Sequence, residues 1–267
     1  IEPGTTLGGN LRASATDDVV LRNGGDNTVS VGRDVDLIAG DRVEIEAGVR
    51  LVSNGGNINL RGDGAVGSNT GVRINANVAA ANYDQSTAIK TTGSGQITII
   101  GAGGEVSSSS NDGVRIGDEY SGNEYSVLLQ TEAGDITITG IGGNWDTDQS
   151  TSLTQVAGVS IRSSTIRTTA GGDITITGTA PTGHPPPAGT SYDDRDGVVL
   201  ENGVIIQTAV TADSALPSDY GAITITGTAY GTGEALDLDD GTDKRHIEAG
   251  KGGVTLIGTV ADQPING

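Results

Sequence analysis

The chain has 267 residues, a formal net charge of −19, 44 glycines and no cysteine, methionine or phenylalanine. The missing cysteines exclude disulfides, thiolate metal sites and thiol nucleophiles. The negative charge repels nucleic-acid phosphates, and no apolar run of about 18 residues exists to cross a membrane as a helix. With 34% hydrophobic residues and one tryptophan, the interior falls to Ile, Val and Leu, residues that favour strands.

Residues 1–16 are polar and weakly patterned, and read as an arm or cap. No basic–apolar leader precedes them. A chain that starts at Ile1 and holds no Met reads as a processed form or a piece of a longer precursor. From residue 17 to 62, short alternating phrases follow closely: DVVLR from Asp18, TVSV from Thr28, VDLIA from Val35, VEIEA from Val43 and VRLV from Val49. Their period of two is that of a strand with one buried face, and they predict tight coils with few insertions.

Residues 63–267 continue the pattern with longer connections. A phrase of the form Gly-x-Ile-Thr-Ile recurs at Gly56, Gly95, Gly134, Gly172, Gly221 and Gly253, at intervals of 39, 39, 38, 49 and 32 residues. A second phrase follows at Gly71, Gly113, Gly158 and Gly197, with a degenerate copy at Ala235, and a third leads back from Ser126, Ser164 and Gly203. Self-similarity of this kind marks a repeat architecture. Three strands per unit predict an all-β fold, a parallel β-helix (β-solenoid) of about three strands per coil with loop insertions, in one continuous domain. Ile136, Ile138, Ile174, Ile176, Ile223 and Ile225 are predicted to point inward in stacked columns, with the intervening threonines outward.

The units TTAGGDITITGTA, DGVRI and STIRTTAGGDITITG resemble the repeats of large secreted bacterial adhesins of the filamentous-haemagglutinin type, from about Gly56 to Gly258. The resemblance implies a right-handed β-helix, export by two-partner secretion and an extracellular or cell-surface location. Residues 1–50 carry no copy of that family's secretion-domain signature.

The insertions concentrate the chemistry. Loops after Gly101, Gly140 and Gly178 follow the same strand in successive coils and should share one flank. All seven aromatics lie outside the strand phrases: Tyr83, Tyr120, Tyr125, Trp145, Tyr192, Tyr220 and Tyr230. Of these, Tyr120, Tyr125, Trp145 and Tyr192 are the candidates to stack on glycan rings or anchor a protein partner on a host or cell surface; the competing reading is that they lie over the coils and seal their sides. Two acidic clusters, Asp193, Asp194 and Asp196, and Asp237, Asp239 and Asp240, are candidate Ca²⁺ ligands or solvated charge. No cofactor is required.

An enzyme is not expected. Asp193, Asp194 and Arg195 could be placed in a polysaccharide-cleaving groove, which makes a carbohydrate-binding or -cleaving β-helix the alternative reading. No nucleophile elbow or phosphate loop supports it, and His184 sits in a stiff GHPPP turn. RGD at Arg61–Asp63 matches an integrin-binding tripeptide, and Thr137/Thr139, Thr175/Thr177 and Thr224/Thr226 would form a hydroxyl array of the kind seen in some ice-binding solenoids. The expected partners are copies of the chain stacked end to end or flanking coils of a longer precursor.

Overall fold

The computed structural model describes residues 6–23, 28–64, 70–77, 80, 82, 84–104, 111–117, 126–143, 156–182, 195–208, 221–230, 233–238 and 246–261. Among them there are strands and no helix. The strands form three parallel sheets. The first holds eight strands from Thr6–Leu7 to His246–Glu248, the second eight from Leu11–Ala15 to Val254–Ala261, and the third seven from Val19–Leu21 to Leu236–Asp237. The chain visits the sheets in turn, so each strand pairs with the one three places later. This is the right-handed parallel β-helix with three strands per coil, the hand favoured when parallel strands are joined by a crossover.

The register explains the sequence. In the second sheet Val35, Ile58, Ile97, Ile136, Ile174 and Ile223 lie one above another, and so do Leu37, Leu60, Ile99, Ile138, Ile176 and Ile225. All twelve are buried, as alternation requires. A slip of one residue would turn both columns to solvent. Branched aliphatic side chains stacked at the strand spacing fill a thin core without large aromatics. The third sheet contributes Val43, Val72, Val114, Val159 and Val198 in the same manner.

The corner before each second-sheet strand accounts for the Gly-x opening of the phrase. A methyl group on Gly134, Gly172 or Gly221 would overlap the carbonyl oxygen of Gly95, Gly134 or Gly172 in the coil before. Buried hydroxyls brace the same corner: Thr168 Oγ1 donates to Gly172 O at 2.8 Å and Thr208 Oγ1 to Gly221 O at 2.7 Å. The x residue then ties coil to coil. Asp135 Oδ1 accepts the Asp173 N–H at 2.9 Å, and Asp173 Oδ1 accepts the Ala222 N–H at 2.7 Å. Further back, Asn57 N–H donates to Asp34 and Gln96 N–H to Asn57 in the same way.

Three expectations change in detail. Val254 pairs with Ile223, so Gly252, not Gly253, occupies the corner glycine position of the last phrase; Gly253 takes the x position. Residues 6–7 and 11–15, expected within an arm or cap, are strands of the first coil: Thr6–Leu7 pairs with Thr28–Val31 and Leu11–Ala15 with Val35–Ala39. Tyr230, read as lying outside the strands, closes the strand Ile223–Tyr230 and packs on Ala180, Ala229 and Ala235.

Candidate binding surfaces

The insertions that follow the second sheet leave and rejoin the coils at facing glycines. A methyl group on Gly101, Gly140 or Gly178 would overlap the carbonyl oxygen of Gly113, Gly158 or Gly197, respectively. The backbones of the second and third sheets therefore touch at these pairs. Because Gly101, Gly140, Gly178 and Gly227 are in register, the exits from the second sheet, at residues 102–104, 141–143 and 179–182, start along one line; the insertions themselves lie outside the described residues.

The aromatic candidates Tyr120, Tyr125, Trp145 and Tyr192 lie outside the described residues, as do Asp193, Asp194, Asp239 and Asp240. Asp196 and Asp237 are described, and they are not alike. Asp196 is buried, 3% exposed, and its Oδ1 accepts the Glu234 N–H at 2.9 Å. Asp112, two coils earlier, does the same for Ala157 N–H at 2.8 Å. Asp196 thus acts as a stitch between coils, with one oxygen committed to the backbone, rather than as solvated charge. Asp237 is half-buried on the outward side of the third sheet, level with Val199. Asp196→Ala is expected to lower stability by about 1 kcal/mol, the cost of losing a part-buried hydrogen bond between coils. Thermal melts should show the same loss with and without added Ca²⁺.

A carboxylate group that sequence reading missed stands at the other end of the rod. Asp17, Asp18 and Asp41 bring carboxylate oxygens within 4.8 Å of one another. They meet because Asp41 lies one coil above Asp17, to whose carbonyl it donates its N–H at 3.2 Å. Arg42 already neutralises part of this charge: its Nη2 lies 2.7 Å from Asp18 Oδ2 and 3.3 Å from Glu44 Oε2. Three oxygens suit a hard cation, but the arginine competes for the same face. The signal available in sequence was the acidic pair before VVL and the single Asp before the next coil's RVEI.

The RGD tripeptide closes on itself. Arg61 Nε lies 2.9 Å from Asp63 Oδ1, and Gly62 is packed against the Gly71 carbonyl. Its two charges are spent on each other at a strand end, which leaves little to offer a receptor. The threonine pairs are in register and half-buried on the outward side of the second sheet, bordered by exposed Ile100, Ile141 and Ile257. His246 Nε2 lies 2.6 Å from Glu248 Oε2 on the surface.

Compared with protein-family models, with curated proteins and with solved structures, the chain matches none.

Proposed function

We propose that the chain is an extracellular structural and adhesive rod, a β-solenoid whose coils hold a row of insertions along one flank for contact with a glycan or a protein surface. The observation that carries this reading is the registered row of facing glycines at Gly101, Gly140 and Gly178. It starts three unrelated insertion sequences from successive points on one line. A rod with a charge of −19 suits a solvated exterior.

The test is removal of one insertion. Pro181 is buried and Gly142 packs against its ring, so the cut belongs after it, at residues 183–189. The shortened chain is expected to keep its β-sheet circular dichroism and to melt within a few degrees of the parent, because segments outside the coils tolerate length change. Binding to a panel of immobilised glycans and cell surfaces should fall. Unfolding of the variant would show that the insertion belongs to the core; unchanged binding across the whole panel, repeated for the insertions after Gly101 and Gly140, would remove the adhesive reading.

A further inference from the structure

The outward side of the first sheet carries a strip of basic and amide side chains on this acidic chain. Ser30, Val52, Lys90, Gln130, Arg167 and Gln207 stand one above another, one per coil, at about 4.8 Å per step. No carboxylate enters this column until Glu248. Arg50 lies beside it, level with Ala88 and so diagonal to Lys90. The neighbouring column, Ala88, Leu128 and Thr165, faces outward yet is fully buried. Arg50 Nη1 donates to the Asp84 carbonyl oxygen at 2.8 Å, which holds the residues leading into Thr87–Thr91 over that side. The Lys90 column is therefore a half-exposed strip beside a raised edge, parallel to the rod axis.

Lys90 is the unsatisfied member. It is about half-buried, and among the described residues no hydrogen bond or ion pair reaches its ammonium group. Burial, then Arg50 and Arg167, push its pKa down from the ordinary lysine value, against a weaker opposing pull from Asp84. Arg167 is held in place by its own column: its Nε and Nη2 both donate to Gln130 Oε1, at 2.9 and 2.7 Å. A half-desolvated ammonium between two guanidinium groups is unfavourable unless an anion joins it.

We propose that this strip binds a polysaccharide bearing carboxylates, of the uronic-acid type, lying along the rod axis with one carboxylate on Lys90. Charge complementarity selects an anion here, where Lys90 and Arg167 share a column and Arg50 stands beside it. The net charge of −19 disfavours the densest polyanions, nucleic acids above all, and also a second copy of the chain. The amides of Gln130 and Gln207 offer both donors and acceptors to sugar hydroxyls at successive steps. This inference goes beyond the rod reading and places a ligand on a different side from the insertion flank.

The probe is polygalacturonate, with its fully methyl-esterified form as the uncharged control, measured by calorimetry and affinity electrophoresis at low and moderate salt. The parent chain is expected to bind the charged polymer and not the ester. Lys90→Met should weaken binding at least about tenfold with unchanged circular dichroism, while Lys90→Arg and the distant Arg61→Gln should bind like the parent. Removal of residues 183–189 should leave this binding intact, which separates its failure from that of the adhesive flank. No binding by the parent, equal binding of the ester, parent-like binding by Lys90→Met, or tighter binding of single-stranded DNA would overturn the proposal. So would salt-sensitive self-association that Lys90→Met abolishes, because the strip would then belong to a second copy.

Discussion

Ile176→Asp is expected to destabilise the chain by about 4 kcal/mol or more, enough to unfold the coils around it at room temperature. Ile176 is fully buried, between Ile138 below and Ile225 above. A carboxylate there meets only aliphatic neighbours in its column, so it must either be protonated or drag water into the interior. The matched replacement on the outward side, Thr177→Asp, places the same charge one residue away on a half-buried position facing solvent. It should cost less than about 1 kcal/mol. Denaturant titrations of the two variants followed by circular dichroism make the comparison. Similar midpoints for both would mean that the alternation does not decide which face is dry.

The second large effect is expected from a single methyl group. Gly140→Ala puts a Cβ onto the Gly158 carbonyl oxygen, where both partners are backbone and neither can rotate away. The two sheets must separate at that point. The loss should be about 2–4 kcal/mol, toward the upper end of overpacking costs. Gly9→Ala is the control, since nothing lies within 4 Å of a Cβ there; it should change stability by less than about 0.5 kcal/mol. If Gly140→Ala melts like Gly9→Ala, the close approach of the sheets is not required, and the argument that registered glycines line up the insertions loses its basis.

These expectations rest on features that differ in how far they can be read from sequence. The inward columns were plain because alternation and a near-constant spacing coincide: Ile136, Ile174 and Ile223 announce both their face and their neighbours. The first coil was hidden because Leu11–Ala15 presents alanines inward at Ala13 and Ala15 and an arginine outward, a weak apolar signal that only its pairing with Val35–Ala39 makes legible. The misplacement of Gly253 has a simpler cause, since two adjacent glycines leave the phrase without a fixed starting point. Tyr230 extends a strand past its glycine into the small cluster around Ala229, and short phrases could not foretell that length.

The candidate sites were harder. In sequence Asp196 is one of three acids open to Ca²⁺ or to solvent, but its character comes from an N–H in the following coil, 38 residues away. Asp17, Asp18 and Asp41 meet only because one coil stacks on another. Lys90 is unremarkable in sequence; it gains meaning from Arg50 and Arg167, which the stacking brings to the same side from other coils. Side chains that point into a coil obey a local rule, whereas surface groupings depend on which coil lands above which.

The corner ladder has a consequence for how such a chain changes length. Asp135 meets Asp173 as Asn57 meets Gln96, and Ile97 sits on Ile136 as Ile136 sits on Ile174. Each junction presents nearly the same upper and lower surface, so a genetic duplication of residues 95–133 would insert a coil whose two joints already exist elsewhere in the rod. Unequal recombination between the near-identical phrases at Gly134 and Gly172 could lengthen or shorten the molecule in whole coils without redesigning any contact. Rod length is then free to drift under selection for reach, while each insertion travels with its own coil and diverges independently of its neighbours.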